Sequence, residues 1–279
     1  MTTSRIHGGA ALNDRTRDAR ITRILGVLAR EGELQVRVLP SLLGVSGATI
    51  RRDLAALEQS GHIRRSYGKV AAVRRSAELP LNLRQSQNVE AKLRIGALLS
   101  SLLPDRPLTL AMNGGSTVGC VARNLAGRPG LTVVTSSLDT AAALTARQVV
   151  KVVVTGGTAR PLSNDLVGKG AEAALRSHRF DFAIVGADGI CPRAGFTRHS
   201  PSGAEIDRVI LDQAKHTIVV ADSSKLGRVR QAKFADLGAV HTVVTDSGAS
   251  REMLASLRSA RVRTVLAFLP QTDRRDRSV

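Results

Sequence analysis

Between residues 108 and 267 short β-rich runs alternate with segments of helical composition, and this rhythm leaves the chain few architectures. The β-rich runs fall at 108–112, 131–135, 149–155, 180–186, 217–221, 242–245 and 262–267. Helical segments lie between most of them, at 118–125, 138–146, 171–177, 204–214 and 251–259. Strands joined by helical crossovers run in the same direction, so the alternation predicts a mostly parallel sheet covered by helices. In such sheets the ligand site lies beyond the carboxyl ends of the strands.

The polar residues collect at those ends. The first run leads into Asn113, Gly114, Gly115, Ser116 and Thr117 and then a helix; the second into Thr135, Ser136 and Ser137; the third into Thr155, Gly156 and Gly157. The fourth is followed by Asp188 and Gly189, the fifth by Asp222, Ser223, Ser224 and Lys225. Glycines let backbone amides approach an oxyanion, and a helix start attracts it. Any one of these loops also reads as an ordinary tight turn. Five together describe a pocket in which amides, hydroxyls and Lys225 cradle a phosphate while Asp188 accepts hydrogen bonds from sugar hydroxyls. The ligand expected is a phosphorylated sugar or polyol.

A different pattern precedes this region. Leu42 to Leu54 read LLGVSGATIRRDL: an apolar helix end, Gly44 suited to the left-handed conformation that stops it, and Ser46 able to cap a second helix. In that helix Ala48, Ile50, Leu54 and Leu57 are placed on the buried side, and Gly47, Thr49, Arg51 and Arg52 outward. Such an end fits a DNA major groove; the alternative is an antiparallel helix pair with a solvated basic face. Ahead of it, Ile21, Ile24, Leu25 and Leu28 mark one face of a helix that Glu31-Gly32-Glu33 ends. A short helix over about 36–43 should begin late or bend at Pro40. After it, residues 62–73 read as a hairpin turning at Tyr67-Gly68, with Arg64, Arg65, Tyr67 and Lys69 placed to touch phosphate. Three helices and a basic hairpin make a winged helix-turn-helix.

Charge agrees with a polyanionic partner. The chain carries a formal +18, and residues 1–85 hold 15 Lys or Arg against 7 Asp or Glu. Two cysteines, Cys120 and Cys191, without CxxC spacing, and six histidines without ligand spacing argue for a reducing, cytoplasmic setting with no metal and no cofactor. No apolar run approaches the roughly 20 residues that cross a bilayer, so no membrane partner is expected. The organisation expected is a disordered lead at 1–16, a DNA-binding domain at 17–73, a linker at 74–89, an effector-sensing α/β domain at 90–269 and a basic tail at 270–279.

These stretches together resemble the DeoR family of bacterial transcriptional regulators, over about residues 17–268. The matching motifs are LLGVSGATIRRDL, EAKLRIG at 90–96, TGGTARP at 155–161, VGADGI at 185–190 and ADSSKLGR at 221–228. The resemblance implies an N-terminal winged helix-turn-helix, a C-terminal domain similar in fold to ribose-phosphate isomerases, and repression of sugar or polyol catabolism relieved by a phosphorylated intermediate. Departures from the family pattern are Asn113 for the usual Asp, Ser136 for Asn, Tyr67-Gly68-Lys69-Val70 for His-Gly-Gly-Ala in the wing, and Pro40.

An active sugar-phosphate isomerase is the alternative. It needs a general base over the substrate and a cation for the enediolate. Asp188 is followed by Gly189, Ile190 and Cys191, without the further acids such enzymes carry, and Glu205 is the replacement base to consider. No catalytic residue is therefore expected. As a regulator the chain should act as a homodimer or homotetramer on double-stranded operator DNA, with half-sites about 34–36 Å apart or a multiple of it. A DNA binder without any effector is a third reading, which the five loops disfavour.

Overall fold

The computed structural model describes residues 17, 20, 21, 23–28, 31–59, 63–73 and 78–268. The lead at 1–16, the tail at 270–279 and residues 74–77 of the linker lie outside them. The chain divides into two units, 1–87 and 88–279.

In the first unit the described residues from 17 to 31 are helical (α1), and Ile21, Ile24, Leu25 and Leu28 are buried along one face. A strand follows, β1 (Glu33–Gln35), then a 3-10 turn over Val36–Val38 and α2 (Leu39–Leu43). Pro40 falls in the first turn of α2, where its missing N–H removes no helical bond, so the helix begins late rather than bending. Gly44 closes it at φ +68° and donates to Pro40 O. α3 (Gly47–Gln59) then starts, with Ser46 Oγ accepting the Thr49 N–H at 3.3 Å. Ile50, Leu54 and Leu57 are buried, but Ala48 is exposed, against the pattern drawn from the sequence. Two residues before Ile50 is about 200° around a helix, so the two cannot share a face.

The wing is β2 (Ile63–Ser66) and β3 (Lys69–Ala72), joined by Tyr67 and Gly68 at φ +47° and +76°, the pair of left-handed residues that a two-residue hairpin turn requires. β1 pairs with β3 to complete a three-stranded antiparallel sheet in the order β1-β3-β2. Within the stretch expected as linker, Pro80 opens α4 (Leu81–Gln85), and Leu83 enters the core of this unit beside Ile50, Leu54 and Val70. Burying Leu83 stabilises more than a free polar connector could.

The second unit begins with α5 (Val89–Leu102) and continues β4 (Leu108–Met112), α6 (Ser116–Leu125), β5 (Leu131–Thr135), α7 (Leu138–Thr145) and β6 (Lys151–Val154). A ribbon of β7 (Thr158–Ala159) and β8 (Leu166–Val167) leads to α8 (Lys169–Arg176) and β9 (Phe180–Gly186). Next come β10 (Gly189–Cys191), β11 (Gly195–Arg198), α9 (Pro201–Asp212), β12 (Ala214–Val220) and β13 (Ala232–Ala235). β14 (Thr242–Asp246), α10 (Arg251–Ser259) and β15 (Arg263–Ala267) finish the unit.

Seven strands form one parallel sheet in the order β15-β14-β12-β9-β4-β5-β6. Side chains alternate across it with period two. Ala183, Val185 and Val219 face the core built with α8, α9 and α10, and Ile184, Ile218 and Val220 face the core built with α5, α6 and α7. From β4 the chain winds outward through β5 and β6, then returns to β9 and winds the other way. The order therefore reverses between β4 and β9, and that crevice is where a parallel sheet offers a ligand site. β10, β11 and β13 form a small antiparallel sheet that the sequence pattern did not reveal.

Candidate functional site

In the first unit Arg51 and Arg52 are exposed on the first turns of α3, and neither guanidinium makes an ion pair among the described residues. Gly47 and Thr49 are half-buried, Ser46 is exposed, and the Ser46 and Thr49 hydroxyls lie 2.9 Å apart. On the wing Arg64 is exposed and Tyr67 is fully so. The other two wing cations are engaged. Arg65 meets Glu58 at 2.6 Å through Nη2 and 2.8 Å through Nε, and Lys69 meets Glu33 at 3.0 Å. The Arg65 hydrogen bond holds the Glu58 carboxyl below its ordinary value. Between wing tip and α3 lies a cleft of about 560 Å³ lined by Arg37, Pro40, Gly47, Arg51, Tyr67 and Lys69 among others. Arg37 escaped the sequence reading because it falls in a 3-10 turn with no periodicity.

Beneath this surface Asp53 is 2% exposed. Arg20 forks onto it, Nε to Oδ2 at 2.5 Å and Nη2 to Oδ1 at 3.1 Å, and Arg17 stands 3.6 Å away. The ion pair fixes α1 against α3.

In the second unit the parallel sheet sends all five polar loops to one edge. The strands concerned, β12, β9, β4, β5 and β6, are consecutive, so the loops span about 19 Å at roughly 4.8 Å per strand. Gly156 and Gly157 stand at one end of this row and Lys225 at the other. At the crevice Gly115 (φ +123°) precedes α6, which has no side-chain cap. Gly114 is required by close approach: a Cβ there would lie 1.8 Å from Asp165 Oδ1. Ser116, Thr117, Ser136 and Ser137 are all buried, and Ser137 caps α7 through the Thr140 N–H. Gly157 (φ +112°) packs against Val167 O, and Gly189 against Arg228 O.

Asn113 takes a different place from the one its loop suggested. It is 1% exposed, its Oδ1 accepts the Gly186 N–H at 3.0 Å, and its Nδ2 donates to Asp207 Oδ1 at 2.7 Å. The amide thus ties β4 to β9 and to α9. Beside it Arg198 lies among three carboxylates: Asp207 at 3.1 Å, Asp165 at 3.3 Å and Asp188 at 4.0 Å. Asp188 also accepts the His199 N–H at 3.1 Å. Burial pushes the Asp207 carboxyl up to about 7; Arg198 and the Asn113 hydrogen bond oppose the rise, and Asp165 and Asp188 add to it. Arg198, Asp165 and Asp207 come from β11, the β7–β8 connection and α9, so no linear motif announced them.

The turn that carries Lys225 is organised by two aspartates. Asp222 Oδ1 accepts from Asn88 Nδ2 at 2.7 Å and from Ser224 N–H at 3.2 Å, while Asp246 takes Ser223 N–H at 2.6 Å and its hydroxyl at 2.9 Å. Both serine hydroxyls are therefore spent on loop shape, Ser224 Oγ on Asp222. Glu205 sits exposed on α9, paired with Arg208. Among the described residues no group of three or more His, Cys, Asp or Glu is placed to hold a metal, and no helix is long and apolar enough to cross a membrane.

Residues 20–76 match the DeoR-like helix-turn-helix domain, and residues 87–247 match the DeoR C terminal sensor domain. The chain belongs to the DeoR family. It is 30% identical over 244 residues, 87% of this chain and 95% of the relative, to the HTH-type transcriptional regulator GlpR of Haloferax volcanii. It is 27% identical over 224 residues, 80% of this chain and 88% of the relative, to the glycerol-3-phosphate regulon repressor of Escherichia coli (strain K12). A ribose 5-phosphate isomerase A from Methanocaldococcus jannaschii aligns with 50% of the chain and 55% of its own at 16% identity and a TM-score of 0.39. The parallel strand order above, not that likeness, establishes the fold. DeoR-family membership makes this chain a DNA-binding transcriptional regulator and not an enzyme, in line with an Asp188 already engaged by Arg198 and His199.

Proposed function

We propose that this DeoR-family regulator represses a sugar or polyol catabolic operon from the cytoplasm and releases its operator when a phosphorylated sugar or polyol binds the second unit. Supporting this reading, a relative similar along most of its length is named a glycerol-3-phosphate regulon repressor. The observation that carries it is the crevice between β4 and β9, where α6 begins without a side-chain cap at Gly115. Its first amides, at Ser116 and Thr117, have no intrahelical partner and point outward along a favourable dipole. There they hold the phosphate, with Lys225 as a flanking cation and Asp188 as acceptor for a hydroxyl. Asn113, Gly114, Ser136, Ser137, Gly156, Gly157 and Gly189 shape the loops. In the first unit Arg51, Arg52, Ser46, Gly47 and Thr49 face the groove, and Arg64, Arg65, Tyr67 and Lys69 face phosphate. A homodimer or homotetramer presents two such heads to half-sites about 34–36 Å apart or a multiple of it. The effector acts by preferring one arrangement of the heads through its own differential affinity.

Fluorescence anisotropy on the DNA upstream of the chain's own gene tests this reading. Glycerol 3-phosphate, ribose 5-phosphate and fructose 6-phosphate are titrated in, with glycerol, ribose, fructose and inorganic phosphate as controls. Release by at least one ester and by none of the controls is expected; indifference to all the esters overturns the reading.

A further inference from the structure

Beyond β12 the chain crosses back over the residues that follow Asp188. Gly227 N–H donates to Ile190 O at 2.8 Å, and Leu226 bridges Ile190 in parallel. Arg230 N–H donates to Thr197 Oγ1 at 2.9 Å, and Thr197 O in turn accepts the Asp188 N–H at 3.0 Å. The crossing depends on Gly189, where a Cβ would fall 2.5 Å from Arg228 O. Residues 226–230 are therefore laced through their backbone amides onto β10 and onto the Thr197 hydroxyl of β11, the residue whose carbonyl holds the Asp188 N–H.

The two arginines of this crossing differ. Arg228 donates through Nε to Ser224 O at 2.6 Å. Arg230 is half-buried, its Nε is shielded from solvent and makes no hydrogen bond, and it forms no ion pair within 4.0 Å among the described residues. Asp188 gives it a neighbouring negative charge but is already engaged by the His199 N–H and by Arg198, and Arg228 adds a like charge nearby. A shielded guanidinium N–H left without an acceptor is costly, and the guanidinium's forked donors fit the oxygens of a phosphate.

We propose that Arg230 binds the phosphate of the effector, a guanidinium arm that no sequence motif marked. The assignment rests on the function proposed above. It places a phosphate monoester between the β12–β13 crossing and the crevice, within reach of the hydroxyl acceptor Asp188.

The anisotropy assay with the same three esters tests it on Arg230→Ala, Arg230→Gln and Arg230→Lys, with Arg228→Ala alongside. All four variants should bind DNA within about twofold of wild type when no ester is present. Losing a charged hydrogen bond should raise the half-releasing ester concentration about tenfold or more in Arg230→Ala and Arg230→Gln. Arg230→Lys, which keeps the charge without the fork, should fall between them and wild type, and Arg228→Ala should stay near wild type. If the alanine variant fails to fold, the glutamine and lysine variants, which keep the stem, decide between the outcomes. An unchanged ester response in Arg230→Ala or Arg230→Gln, with wild type responding, overturns the assignment alone. A wild type deaf to all three esters overturns the proposed function and this assignment with it.

Discussion

The Asn113 amide donates to Asp207 at 2.7 Å in the interior of the sensor unit, while its oxygen accepts the Gly186 N–H. One side chain thus holds the reversal point of the sheet to α9, and its uncharged state is what the neighbouring carboxylate can tolerate. Asn113→Asp would set two carboxyl groups against each other in a buried site, a like-charge pair that must take up a proton or separate. A loss of about 2–3 kcal/mol is expected, or roughly 5–10 °C in the thermal midpoint of the unit. Adding Asp207→Asn to Asn113→Asp should restore most of it by recreating an amide–carboxylate pair. Calorimetry of the two single variants and the double variant measures the coupling; strictly additive losses would mean that the contact carries none of the energy.

Asp207 also makes stability depend on pH in a direction unusual for an aspartate. The folded chain keeps its proton up to about 7, because burial outweighs Arg198, whereas the unfolded chain releases it near 3.9. Between those values the native state binds more protons. The contribution is therefore complete below about pH 4, falls as pH rises to about 7, and is constant above it, with a slope of at most about 1.4 kcal/mol per pH unit. Urea unfolding at pH 5, 6, 7 and 8 should show wild type losing stability relative to Asp207→Asn up to pH 7. Parallel profiles would place the ionisation elsewhere.

What could be read from the sequence and what could not divide along physical lines. The strands of the parallel sheet were legible because burial on both faces writes a continuous apolar run, as in residues 182–186. The faces of α1 and α3 were legible through the spacing of Ile21, Ile24, Leu28, Ile50, Leu54 and Leu57. β1 was not: three residues carry no period, and their pairing partner β3 lies more than thirty residues on. The five polar loops were legible in the sequence and the strand order sets them side by side, yet Asn113, Ser137, Ser223 and Ser224 hold the loops in shape. Arg198, Asp165 and Asp207 were invisible because only the fold brings them together. Arg230 was invisible because, in an arginine-rich chain, one more arginine carries no signal until its neighbours are known.

In the DNA-binding unit the test of packing is Asp53. Removing its carboxylate in Asp53→Ala leaves Arg20, whose side chain is 19% exposed, without its forked partner. The cost expected is about 2–3 kcal/mol, below the 3–5 kcal/mol of a wholly buried pair because Arg20 retains some water. Operator affinity should fall with the fold and recover on cooling toward the temperature of maximum stability, which loss of a direct DNA contact would not do. Circular-dichroism melts of the variant with anisotropy at two temperatures separate the two causes.

The wing gives the opposite kind of change, a gain on removing a charge. Arg65 is held by Glu58 through Nε and Nη2, so this side of its guanidinium reaches a phosphate only by leaving that partner. Glu58→Gln weakens the hold and should raise affinity for any duplex severalfold at low salt. It should also steepen the dependence of log K on log salt by up to about 0.9, the increment for one added phosphate contact. The ratio of operator to non-operator affinity should stay constant, since phosphate contacts position the protein without reading bases. Arg52→Ala, on the exposed face of α3 proposed to enter the groove, should instead lower that ratio, by about 1–3 kcal/mol if it reads a guanine. A Glu58→Gln protein with an unchanged salt slope would show that Arg65 braces the wing against α3 and never meets DNA.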